Sequence, residues 1–241
     1  MPILTTGRTM DRSGRPVDGS GFQYESSERL AELLAHRVSP LFSQPITGEW
    51  VFGLVTTQET RGEFERGVGV FPPGNAGPAE HIHPTYDEHF DVVRGDFIFK
   101  IGGKERQASA GDKLVVKKGT PHTFRCIGQT HGVVVAETHP AARTGEVIVT
   151  LFGMAHEGRL TRQGQPKLLQ AMVIGSEYAD DTVFTSPPPS IAIPIAKIIA
   201  PFGRLLGYRA TDPKYLTESF WAAHVEQPTR TESNSNASPK I

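Results

Sequence analysis

Histidines at 81 and 83, a glutamate at 88 and a histidine at 122 are the residue types that ligate transition metals. In an extended chain, positions two apart project to one side, so His81 and His83 bring two imidazoles together. Pro84 to Asp87 can turn the chain, after which Glu88 begins a new strand beside the pair and offers an oxygen ligand. Gly119-Thr120-Pro121-His122 delivers a third imidazole at the start of a strand that follows a tight turn. Three neutral imidazoles and a carboxylate suit Fe(II), Mn(II), Ni(II), Cu(II) or Zn(II), with one or two positions left for substrate or dioxygen. Asp87 competes with Glu88 as the carboxylate, but alternation through Phe90 and Val92 turns Glu88 inward and leaves Asp87 in the turn.

Other reactive side chains are weighed against that set. Tyr86 lies between the ligand strands and is read as lining the mouth of the site, with a catalytic role beside Glu88. His89 alternates to the outside. Cys126, four residues past His122, faces inward as a small buried hydrophobe. Phe97, Phe99 and Phe124 point to an apolar interior, while His131, His139 and His156 have no partner that spacing identifies.

The elements that must hold these residues are mostly strands. Between Glu49 and Thr138, short apolar or alternating runs are punctuated by Pro72-Pro73-Gly74, Arg94-Gly95, Gly102-Gly103, Gly111 and Lys118-Gly119. Such a rhythm marks a sandwich or small barrel. Phe97 to Ile101, then Gly102-Gly103 and a polar run, reads as a hairpin with a two-residue turn. Ahead of this unit, Leu30, Leu33, Leu34 and Val38 form a helical face, capped by Ser26 or Ser27 and stopped by Pro40. Beyond His139-Pro140, helical spacing returns at Val147–Ala155, at Leu168–Val173 and, after a Pro-rich break, at Ile195–Leu206. The resulting organisation is a flexible arm over residues 1–24, a β-barrel with its leading helix over 25–140, a helical extension over 141–226 and a disordered tail over 227–241.

Lys and Arg number 25 against 26 Asp and Glu, so there is no polycationic surface and no general nucleic-acid binder is expected. One cysteine excludes an internal disulfide and a thiolate zinc cage. The polar N-terminal run lacks the features of a secretory signal, and a cytoplasmic location is expected. Pro194, Lys197, Pro201 and Arg204 interrupt the most apolar stretch before it can span a bilayer. Residues 191–208 are expected to pack on the barrel or on a second copy, with weak interfacial membrane contact as the minority reading.

Taken together, the motifs resemble those of the cupin superfamily. His81, His83, Glu88 and Gly95 stand at the intervals of the first cupin motif, and Gly111, Gly119 and His122 at those of the second. The resemblance runs over about residues 65–138 and departs at three places. Gly74 sits one residue early, with Asn75 in the glycine's place; Lys117 replaces the turn proline; Cys126 stands where asparagine is usual. It implies a mainly β, jelly-roll-like cupin barrel, here with an N-terminal helix and a helical C-terminal extension. It also implies that His81, His83, Glu88 and His122 hold one divalent transition metal, Fe(II) first and Mn, Ni, Cu or Zn as alternatives.

A single His-x-His set and the lack of a DNA-binding unit separate the chain from two-cupin enzymes and cupin regulators. Its layout is similar to small cupin oxidoreductases of fungal polyketide pathways. The expectation is therefore a metal-dependent oxidoreductase acting on a small apolar, oxygenated metabolite, and a homodimer is plausible. A redox-neutral isomerase, decarboxylase or cyclase and a non-catalytic ligand-binding cupin remain open alternatives.

Overall fold

The computed structural model describes residues 2–228. Of the tail expected at 227–241, residues 229–241 lie outside the described residues, whereas Gln227 and Pro228 are held: Gln227 exchanges hydrogen bonds with the Leu41 backbone, and Pro228 accepts from Arg37.

Where the sequence reads as a loose arm, β1 (Ile3–Thr6) and β2 (Phe22–Glu25) pair antiparallel. The reason is burial. Phe22 and Tyr24 alternate onto the core, Phe22 meets the Trp50 ring edge-on at 5.0 Å, and Trp50 Nε1 donates to the Gly7 carbonyl. Helix α1 (Arg29–Ala35) buries Leu30, Leu33 and Leu34 as the periodicity requires. Its N-cap is Glu28 with no side-chain cap, not a serine, and it ends at His36, before Pro40.

The strands that follow are β3 (Phe42–Gln44), β4 (Glu49–Val55), β5 (Glu65–Phe71), β6 (His81–Ile82), β7 (Asp87–Arg94), β8 (Asp96–Ile101), β9 (Lys104–Ser109), β10 (Lys113–Val116), β11 (His122–Cys126) and β12 (Gly132–His139). Gly102 and Gly103 both take positive φ, so β8 and β9 join through the two-residue hairpin turn that their right-handed twist favours. After β12 come α2 (Thr144–His156), α3 (Leu168–Glu177), β13 (Val183–Phe184), α4 (Pro189–Leu205), a 3-10 turn at Pro213–Leu216 and α5 (Glu218–His224). The spacing does not anticipate β13, the 3-10 turn or α5.

A six-stranded sheet runs β10-β7-β12-β5-β4-β3 and a five-stranded sheet runs β13-β6-β11-β8-β9. No ladder joins them among the described residues, so this is a two-sheet β-sandwich and not the closed barrel that the sequence reading expects. Between the sheets lies an aromatic core in which Phe71, Phe90, Phe97, Phe99 and Phe124 pack at centroid distances of 5.1–6.2 Å. The other face of the larger sheet, with Trp50, Phe52, Val68 and Val70, is covered by α1, by Phe152 of α2 and by Trp221 of α5.

The face that α4 buries is the opposite of the one its large residues mark. Ala196, Ala200 and Gly203 are buried, and a Cβ on Gly203 would stand 2.7 Å from Val173 of α3. Small residues let the two helices approach closely. Ile191, Ile195, Ile198, Phe202 and Leu205 are left exposed, so α4 does not use them on the sandwich.

Candidate metal centre

β6 pairs with β11 through one direct register contact, His81 opposite His122, which sets those imidazoles 4.3 Å apart between ring centroids. His83, just past β6, lies 4.8 Å from His81 and 5.1 Å from His122. Across the sandwich, β7 supplies Glu88 on the same inward face as the buried Phe90 and Val92. One ligand atom from each of His81, His83, Glu88 and His122 lies within 4.8 Å of every other. The spacing argument therefore brings together the four residues that it names.

The orientation of the rings follows from their outer hydrogen bonds. Nδ1 of His81 is 2.8 Å from the Ala79 carbonyl, Nδ1 of His122 is 3.0 Å from the Thr120 carbonyl, and Nδ1 of His83 is 3.1 Å from the Asp181 carbonyl. A carbonyl only accepts, so each Nδ1 carries the proton and each neutral ring is left with an Nε2 lone pair. Two of those Nε2 atoms face Glu88 Oε2, at 3.2 Å from His83 and 3.0 Å from His122. A lone pair against a carboxylate oxygen is repulsive unless a proton or a cation lies between them. Two extra protons would make neighbouring buried imidazoliums, which burial and mutual repulsion oppose. His81 is itself pushed down to about 4 by burial and by His122 and His83. Burial pushes the Glu88 carboxyl up, and it is held down at about 2 only where positive charge lies between its oxygen and the His122 and His83 rings, as a proton or a cation supplies. The donor set is thus built for a divalent cation of the imidazole-binding kind.

Tyr86 occupies a different place from the one expected. It is 2% exposed, stacks on His83 at 4.3 Å and 23°, and turns its hydroxyl to Thr144, Asp181 and Thr182. Burial, followed by the Asp181 charge, raises its pKa far above the ordinary phenol range. Thr144, Asp181 and Thr182 belong to the extension that follows β12, so the extension covers Tyr86.

Asp181, which no motif singles out, organises this corner. Its carboxylate accepts from the hydroxyls of Thr144 (2.8 Å) and Thr182 (2.9 Å) and from the Arg143 backbone N–H (2.7 Å), while its carbonyl fixes His83. Two departures from the motif also have partners. Lys117 pairs with Asp87 at 2.7 Å, and Asp87 accepts from the Lys118 backbone as well, closing the turn without a proline. Asn75 donates to Glu49 and accepts from the Gly77 N–H. Cys126 is buried and faces inward, as alternation requires. His89 faces outward beside Glu137 and His139, so His139 does have neighbours; His131 meets Trp50 at 5.6 Å and His156 bonds Ser43.

A second carboxyl shares the inner face. Thr138 of β12 stands opposite Glu88 on one side and Glu65 of β5 on the other, forming the row Glu88–Thr138–Glu65. The next row inward is Phe90–Ala136–Gly67, whose small members leave room below Glu65. Two strand spacings, about 10 Å, separate the two glutamates along the row. Burial, with the Asp181 and Glu146 charges adding to it, raises Glu65 to about 7 against a hydrogen bond from Thr57. Its only sequence signal is the Glu65-Arg66-Gly67-Val68-Gly69 alternation.

The family profile described as Cupin domain matches residues 67–138. Strand order and the motif histidines agree with that match over this segment. No curated protein matches the sequence. Among solved structures, the chain is similar to KdgF from Halomonas sp. (23% identity, 38% of this chain and 78% of that one, TM-score 0.35). It is also similar to an RmlC-like cupin from Shewanella frigidimarina (22%, 45% and 88%, 0.38). It is likewise similar to a predicted oxalate decarboxylase from Thermotoga maritima (20%, 42% and 92%, 0.38). No helix among the described residues is long and apolar enough to cross a membrane.

Proposed function

We propose that this protein is a metal-dependent cupin enzyme in which His81, His83, Glu88 and His122 hold one divalent transition metal and a small oxygenated metabolite binds beside it. The observation that carries this reading is the set of three Nδ1–H donors to backbone carbonyls, which leaves three Nε2 lone pairs, those of His83 and His122 aimed at the Glu88 carboxylate. When bound, such a metal supplies Lewis acidity or a redox couple, according to its identity. The protein's own part is to fix three rings and one carboxylate, and to set the aromatic core beneath them. We assign Glu88 to the metal. Tyr86 we assign to positioning, since its hydroxyl is engaged by Thr144 and its ring braces His83.

For the reaction, oxidation of an apolar oxygenated substrate is the first reading, with Fe(II) as the metal and polyketide-type metabolites as the substrate class. Glu65 favours a second reading, redox-neutral proton transfer. It is a half-buried carboxyl near neutrality on the same inner face as Glu88, suited to hold and release a proton.

Elemental analysis of the wild type beside His83→Ala and Glu88→Ala tests the foundation. About one equivalent of a transition metal in the wild type, lost in both folded variants, is the expected result. A wild type free of metal after reconstitution overturns the enzyme reading. Oxygen uptake against substrate-hydrogen exchange in heavy water, over a panel of phenolic and keto compounds, then separates the two chemistries.

A further inference from the structure

On the outer face of the six-stranded sheet, back to back with the inner centre, a second group of donors converges. His89 of β7 stands directly opposite Glu137 of β12, and His139 follows two residues later on the same face. One donor atom from each lies within 4.8 Å of the others, and the His89 and His139 rings are 4.5 Å apart. We propose that His89, Glu137 and His139 form a second, outward-facing site for a divalent transition ion such as Zn(II), separate from the cupin centre.

Each member is placed as a ligand needs to be. Glu137 gives one carboxylate oxygen to Arg66 and turns the other to Nε2 of His139. Phe64 stacks on His139 at 5.5 Å and 26°, while the Arg66 guanidinium rests over Phe64 at 5.3 Å, which holds both away from the open side. Among the described residues neither ring nitrogen of His89 has a hydrogen bond, so this imidazole contributes nothing to the ion pair yet stands beside it. If the arrangement were only a salt bridge, Arg66 would satisfy Glu137 alone. Two imidazoles and a carboxylate, with one side open to water, match a zinc site of three protein ligands plus solvent.

Ligand atoms around tetrahedral zinc sit about 3.4 Å apart, for bonds of about 2.0–2.1 Å. Side-chain rotation on a half-exposed surface covers the difference, since the side chains of His139 and Glu137 are 35% and 18% exposed. The ion would tie β7 to β12 at the residues adjoining Glu88 and Thr138, which face inward. Its role would be structural, because an ion bound only by the folded chain raises stability.

The test uses zinc alone, by equilibrium dialysis with elemental analysis and thermal melting on the full chain. His83→Ala, with the inner centre disabled, is expected to retain one equivalent of zinc and to melt higher with zinc than without it. His83→Ala combined with His139→Ala should lose that equivalent and the shift. A folded His83→Ala that binds no zinc, or a double variant that keeps it, overturns the proposal. If His83→Ala does not fold, the comparison is wild type against His139→Ala and His89→Ala: two equivalents falling to one supports the outer site, and no change sinks it. A wild type with one equivalent, lost in His139→Ala but kept in His83→Ala, would establish this site while refuting the inner one.

Discussion

The acid–base character of the inner face rests on single side chains. Glu65 and Glu88 share a row on one sheet, yet one is raised and the other lowered, because their neighbours differ. Glu88 meets two imidazoles, whereas Glu65 meets a hydroxyl and the fields of Asp181 and Glu146. A folded-state value of about 7 for Glu65 lies above its unfolded value of 4.5. The folded chain then binds the extra proton, so this group's contribution is fully present below 4.5 and is lost as pH rises through 7. Glu65→Gln removes the charge and keeps an acceptor for Thr57. At pH 8 it should stabilise the protein by on the order of 2 kcal/mol, which raises Tm by about 4–8 °C for a chain of this size. At pH 4 the variant and the wild type should melt together. Equal melting at both pH values would place Glu65 in water and remove the case for proton transfer.

Two kinds of element build the centre, and they were legible to different degrees. The strands carrying His81, Glu88 and His122 follow from alternation and turn residues, since each strand's signal lies within its own few residues. The segment at Asp181 carries no such signal. It reaches His83 across 98 positions of sequence, and only the folded chain brings it there. The same holds for Tyr86, whose position in the turn was readable but whose cover, Thr144 and Asp181, was not. The N-terminal pairing was half legible: Phe22 and Tyr24 show the period of a strand, but its partner Ile3–Thr6 is exposed over most of its length and shows no alternation. Asp181→Ala keeps the carbonyl that meets His83 but loses the carboxylate that clasps Thr144, Thr182 and the Arg143 N–H, so the carbonyl is no longer held in place and metal binding should weaken by about 10-fold, the low end for losing a ligand's outer support. Competition with a chelator, read against Thr85→Ala on the neighbouring loop contact, measures it. An unchanged affinity would reduce the extension to a cover.

At the scale of the whole molecule, the unsatisfied feature is α4. Ile198 is 78% exposed and Leu205 86%, on a stripe that also includes Ile191, Ile195 and Phe202. Contiguous apolar surface of this kind marks an interaction face. A membrane-surface helix would carry a polar side rich in Lys and Arg. Here Lys197 and Arg204 are the helix's cations, and Arg204 is paired with Glu177 at 3.0 Å. A second copy of the chain is therefore the better occupant, with the two stripes packed against each other about a twofold axis. A helix of 17 residues is about 25 Å long, enough for the centre of an interface but short of the roughly 800 Å² per partner of a stable one, so neighbouring surface must join it. Light scattering on the full chain should give twice the 26.3 kDa monomer mass, falling to the monomer for Ile198→Asp with Leu205→Asp. A wild-type monomer at tens of micromolar that co-sediments with anionic vesicles would give the stripe to a lipid surface instead. Because Ile198 and Leu205 lie on the exposed side of α4, away from Ala200 and its packing on Val147 and Val173, the double variant should keep its metal, which separates the interaction face from the centre.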